Sequence, residues 1–85
     1  MYLSVHEPIT AVAEFKHGHP EVKSFTWQAR DYQVLKTTLR LKARKGRELV
    51  WLFCVTTATA AFKLRLDTDS LNWWLEEHTW EQSCT

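Results

Sequence analysis

At 85 residues the chain makes one domain, 1–85, which hides less of its surface than a longer chain would and so depends on a dense core. Its two cysteines, Cys54 in an apolar run and Cys84 next to last, do not make a secreted disulfide framework, and no stretch approaches the roughly 18–20 apolar residues of a membrane span. Met1 to Pro8 carries Glu7 and no basic segment leading into an apolar one, so it is not read as a signal peptide, and the expectation is a cytoplasmic protein without membrane contact.

Fraying is expected over residues 1–8 and 81–85. Between Pro8 and the Gly18-His19-Pro20 cluster, Ala11, Ala13 and Phe15 alternate with Thr10, Val12 and Glu14, which predicts a strand over Ile9 to Lys16. Phe25 and Trp27 alternate with Ser24, Thr26 and Gln28, a polar Gln28-Ala29-Arg30-Asp31 follows, and Tyr32 and Val34 resume the alternation. This predicts a hairpin turning near Ala29 and Arg30. The return strand is expected to reach Leu41, with a phase shift between Val34 and Leu35 that a β-bulge explains, leaving Leu35, Leu39 and Leu41 on one face.

Lys42-Ala43-Arg44-Lys45-Gly46-Arg47 reads as the next turn, placed by Gly46 and by its lack of apolar side chains other than Ala43. From it leaves Glu48 to Thr57, where every position from Leu49 to Thr56 is apolar, aromatic or β-branched apart from Cys54. That run predicts a central strand buried on both faces, with Cys54 an inert core residue. Ala61 to Asp67 is half-buried, with Phe62, Leu64 and Leu66 inward and Lys63, Arg65 and Asp67 outward. Beyond the polar Asp67-Thr68-Asp69-Ser70 turn, residues 71–80 fit a helix capped by Ser70 or a strand with Trp73 and Trp74 on opposite faces; the β neighbours favour the strand.

The fold class is therefore all-β: a five- to six-stranded antiparallel meander curled into a small, partly open SH3-like barrel around a Trp-rich core, the alternative being an antiparallel sheet with one C-terminal helix. Its five tryptophans, four phenylalanines and two tyrosines are enough to hold it together without a staple.

Trp27-Gln28-Ala29-Arg30-Asp31-Tyr32-Gln33-Val34, Val55-Thr56-Thr57, Phe62-Lys63-Leu64 and Trp73-Trp74-Leu75 together resemble a small bacterial domain family of unknown function. Its strands carry W-x-G-R-x-Y-x-V, V-x-T, F-x-L and W-x-L. The likeness runs from Pro20 to Trp80, and Ala29 stands where the family has glycine. Some members resemble segments attached to Y-family polymerase-like repair proteins, so the resemblance implies a bacterial protein with a link to nucleic acid. It brings no catalytic residues.

Charge is unevenly placed. Lys36 to Arg47 holds six basic residues and no acid, and Asp67 to Glu81 holds five acids and no base. Arg40, Lys42, Arg44, Lys45 and Arg47 thus form a candidate phosphate- or nucleic-acid-binding hairpin, although basic turns are commonly just solvated or guard a sheet edge. Five tryptophans exceed what so small a core hides, which nominates Trp51, Trp74 and Trp80 as protein-contact residues.

His17-Gly18-His19, with His6, His78 and Cys84 apart from it, lacks the spacing of a zinc site and reads as a polar turn, and His78 beside Glu76 and Glu77 reads as a surface residue. No nucleophile elbow or glycine-rich phosphate loop occurs. The reading is of a non-enzymatic interaction module without cofactor or metal. It self-associates as a homodimer or serves a larger complex as an accessory subunit, with nucleic-acid binding through 40–47 as the alternative.

Overall fold

The computed structural model describes residues 2–79. Seven strands follow one another: β1 Tyr2–Lys16, β2 His19–Trp27, β3 Arg30–Gln33, β4 Lys36–Lys45, β5 Glu48–Thr56, β6 Ala61–Asp67 and β7 Trp73–Thr79, with no helix among the described residues. All pairings are antiparallel, and the strands lie in the order β3-β2-β1-β7-β6-β5-β4. First and last strands are therefore neighbours, and the meander is interrupted between β3 and β4. The sheet is a curled half-barrel.

The extra strand relative to expectation comes from the return strand expected to run through to Leu41, which is two strands, β3 and β4, at opposite edges of the sheet. Instead of fraying, the residues from Tyr2 onward belong to β1, whose first part pairs with β7 and whose second part pairs with β2. Register shifts between Ser4 and Glu7, where His6 takes φ 51°, and between Val12 and Ala13 let one strand bend enough to serve both halves. Local alternation could not reveal this, because the partner of Tyr2 to Ile9 lies six strands further along the chain. The expected fraying at 81–85 falls outside the described residues.

Directly opposed residues of an antiparallel pair point to the same side of the sheet. The inner side holds Phe53, Val55, Phe62, Leu64, Leu66 and Leu75, joined by Val22, Phe25 and Ala60 in one buried cluster. The alternation expected for β6 and the opposite placement of Trp73 and Trp74 are both present, since Trp73 faces Leu66 inside and Trp74 faces Arg65 outside.

Three expectations need correction. The buried aromatics are Phe25, Phe53 and Phe62, whereas Trp27, Trp51 and Trp73 are half-buried around the cluster and Phe15 is exposed. Indole is too large to sit wholly inside a core of this size, so it rims it. β5 is buried on both faces only from Phe53 onward, and it lies next to the edge; β7 is the central strand. Cys54 is buried but disulfide-bonded rather than an inert thiol, and Cys84, the other cysteine of the chain, lies outside the described residues.

The turns are tight. His17 and Gly18 both take positive φ, as a type I′ hairpin turn demands, and Gly46 takes φ 63° before Arg47. The six-residue basic turn expected over 42–47 shrinks to Gly46 and Arg47, because β4 continues to Lys45 opposite Glu48. The phase shift placed at Val34 and Leu35 lies between Thr37 and Leu39, so Leu39 and Leu41 share a face while Leu35 sits in the crossing from β3 to β4.

Gln28 and Ala29 are both left-handed, at φ 52° and 62°, with no glycine to relieve them. A non-glycine residue there costs on the order of 1 kcal/mol. Ala29→Gly is expected to stabilise the fold by a few tenths to about 1 kcal/mol, the gain being reduced by the extra freedom of glycine in the unfolded chain. Urea unfolding reads this, and an unchanged or lowered midpoint would show the turn to be unstrained. Leu64→Ala, at a fully buried position, is expected to lose about 2–5 kcal/mol in the same assay.

Candidate functional site on the edge strand

β4 ends the sheet. Among the described residues its only strand partner is β5, and the register sorts its side chains from Leu39 to Arg44 into two sets. Arg40 opposes Phe53, Lys42 opposes Trp51 and Arg44 opposes Leu49, so the three cations project from the inner side. Leu39 opposes Cys54, Leu41 opposes Leu52 and Ala43 opposes Val50, so the apolar set projects from the outer side. Leu39 and Leu41 remain 42% and 37% exposed, and Arg40, Lys42 and Arg44 are all exposed.

The expected basic stripe is thus real as geometry, with successive cations about 6.7 Å apart along the strand, twice the rise per residue. Lys42 Nζ lies 5.2 Å from the centre of the Trp51 ring, a cation–π contact, and Arg40 Nη2 comes within 3.5 Å of His19 Nε2 on β2. None of Arg40, Lys42, Arg44 and Arg47 makes an ion pair with an acid among the described residues. Lys45 is the last residue of the strand, and Arg47 is exposed in the turn.

The tryptophans nominated for protein contact are placed differently. Trp51 packs against the core cluster, 6.4 Å from Phe53 in a stacked arrangement. Trp74 is enclosed by its own chain: His6 stacks on it at 4.8 Å, the Arg65 guanidinium lies 5.5 Å from its ring centre, and its indole N–H donates to Asp67 Oδ2 at 3.0 Å. Trp80 lies outside the described residues.

Around Trp74 three acids of the stretch, Asp67, Glu76 and Glu77, are paired within the fold. Arg65 pairs with Asp67 at 3.0 Å and with Glu76 at 2.9 Å, His6 Nδ1 reaches Glu76 at 2.6 Å, and Lys63 pairs with Glu77 at 3.0 Å. Strand alternation exposed the Lys63 and Arg65 side of this network; the partnership of His6, near the start of the chain, carried no local signal. At the first hairpin the Lys16 ammonium beside Glu14, and Lys23 beside Glu21, hold both carboxyls below the usual range. His17 forms the turn there. His78 is half-buried and stacked on Phe62 at 4.9 Å, which corrects its expected surface role.

No family model matches the chain, and no curated protein or solved structure matches it either. Two kinds of charge can nevertheless be told apart by mutation. Arg65→Ala leaves Asp67 and Glu76 facing each other beneath Trp74 and is expected to cost about 2 kcal/mol in denaturant unfolding, below the value for a fully buried pair because some solvent reaches the site. Arg44→Ala is expected to stay within about 0.5 kcal/mol of the parent. Equal losses would mean that the basic stripe also holds the fold together.

Proposed function

We propose that the protein is a non-enzymatic interaction module, built as a small SH3-like barrel left open at one seam, that accepts an extended strand of a partner protein along β4. What supports this is a ten-residue edge strand with one neighbour among the described residues, exposing leucines on one side and, on the other, cations that meet no acid among those residues. An added strand satisfies the outward-facing backbone groups of β4, and its alternate side chains then meet two different surfaces. Leu39 and Leu41 select apolar positions; Arg40, Lys42 and Arg44 select acidic ones. The complementary sequence alternates apolar and acidic residues.

The same charges disfavour the symmetric homodimer expected at first. Two β4 strands joined edge to edge would place cations beside cations on the inner side, and like charges directly opposed across a strand pair are destabilising. An accessory role in a larger complex fits better than self-association. As for compartment, a disulfide at Cys54 persists in oxidising surroundings and weighs against the reducing cytoplasm.

A second reading rests on the inner side alone. Arg40, Lys42 and Arg44 in a row, with the Trp51 ring beneath Lys42, offer a phosphate track and an aromatic platform for a single-stranded nucleic acid.

Backbone amide shifts separate the two. A peptide of alternating leucine and glutamate is expected to perturb amides along β4, and Leu39→Ser with Leu41→Ser is expected to weaken it by at least about tenfold, or ~1.4 kcal/mol. A scrambled peptide of equal composition binding equally well would overturn strand addition. Salt-sensitive binding of oligothymidylate that requires Arg40, Lys42 and Arg44 but not the leucines would favour the nucleic-acid reading.

A further inference from the structure

At the end of the half-barrel away from Gly46, the β2–β3 turn, the β5–β6 turn, β6 and β7 line an open hollow of about 420 Å³. Its walls are aromatic: Trp27, Tyr32, Phe62 and His78. Trp27 and Phe62 meet edge to face at 6.2 Å, Tyr32 and Phe62 do so at 5.0 Å, and Trp27 lies 5.4 Å from His78. The Trp27 indole is held from outside the hollow, its N–H donating to Glu7 Oε1 at 3.1 Å, and Tyr32 is backed by Phe25 stacked at 5.1 Å. These rings are fixed before any ligand arrives, which lowers the cost of binding.

The rim is polar and lopsided. Gln28 and Arg30, from the strained left-handed turn, stand on one side and Thr59 on the other. Arg30 is exposed and forms no ion pair among the described residues; the neighbouring Asp31 carboxylate accepts from the Thr26 hydroxyl at 2.6 Å. A cationic guest drawn by the ring faces would meet the Arg30 guanidinium at the entrance, and a purely apolar guest would leave Arg30 and Gln28 unused.

We infer that this hollow is a ligand site for a planar aromatic ring bearing an anionic group, the ring resting on the half-buried Trp27 and Tyr32 above the buried Phe62 while the anion pairs with Arg30. Nucleoside monophosphates and aromatic carboxylates share that chemistry. The site is separate from the contact stretch of β4, because Arg40, Lys42 and Arg44 lie opposite Phe53, Trp51 and Leu49, whereas the hollow lies beyond the Thr56 end of β5.

The test follows the Trp27 indole and the Gln28, Arg30 and Thr59 amides by NMR during titration with adenosine monophosphate, adenosine, indole-3-acetate and indole. The expected result is perturbation confined to these residues, with at least one anionic ligand binding about tenfold or more tightly than its neutral counterpart; which one does so names the source. Arg30→Gln, a change at an exposed position that leaves the ring walls intact, is expected to bring the anionic ligand down to the neutral one. Equal affinity for charged and neutral members of both pairs, or no response to any of the four at millimolar concentration, overturns the assignment, as does unaltered anion preference in Arg30→Gln.

Discussion

Everything in this fold depends on the backbone pairing of β1 with β7. Without it the chain is two separate pieces, a three-stranded piece from β1 to β3 and a four-stranded piece from β4 to β7, each with an uncovered apolar face. Pairing the ends makes β7 the central strand, flanked by β1 and β6, and it brings Ile9 opposite Trp73 and Pro8 opposite Trp74. The two pieces then share one cluster, in which Phe25 from β2 meets Phe62 from β6 edge to face at 5.0 Å. Such a contact joins distant parts of the chain, so its loop-closure cost must be met by the burial it creates. The fully buried Leu64 and Leu75, opposed across β6 and β7, supply much of that burial.

The bulges in β1 follow from the same constraint. A straight fifteen-residue strand would be too stiff and flat to belong to both pieces; the irregularities near His6 and at Val12 turn it. The first bulge also has a chemical result. It brings the His6 imidazole to lie flat on Trp74 and reach Glu76, completing a stack of imidazole, indole and guanidinium on the outer side. Asp67, Glu76 and Glu77 are thereby absorbed into structure, whereas Arg40, Lys42 and Arg44 of β4 meet no acid among the described residues.

How much of this was legible depends on the range over which each signal acts. Phe62, Leu64 and Leu66 against Lys63 and Arg65 report a half-buried strand because period-two alternation is local, and β6 appears where it was expected. Gly46 reports its turn for an equally local reason. The Gln28-Ala29 turn was placed only approximately, since neither residue advertises positive φ. Lys42 to Lys45 looked like turn because charge is a proxy for exposure, and an edge strand is exposed without being a turn. For the candidate sites, the basic residues could be named from sequence, but their face could not: it depends on the irregularity at Thr38, which sets Arg40 opposite Phe53. Shifting the register by one residue would have sent the cations outward and Leu39 and Leu41 inward. The aromatic hollow drew on Trp27 and Tyr32, which one predicted hairpin already joined, and on Phe62 and His78, which nothing local joins to them.

An open edge strand is a hazard unless something restrains it, and between Leu39 and Arg44 β4 carries charge on one side only. Its cations guard the inner side against a second β4, as lysines commonly do on natural edges, whereas Leu39 and Leu41 give the outer side no such guard. If protection were the whole purpose, charges on both sides would serve it better, and exposed leucines would be a liability with no return. The combination makes sense when the edge must reject copies of itself yet accept another strand. On the proposed reading, repulsion between like stripes would supply the rejection, and the leucines would supply the apolar contact to a partner of opposite charge. Specificity on this reading is written in the alternation along β4, one side deciding which strand is allowed and the other holding it.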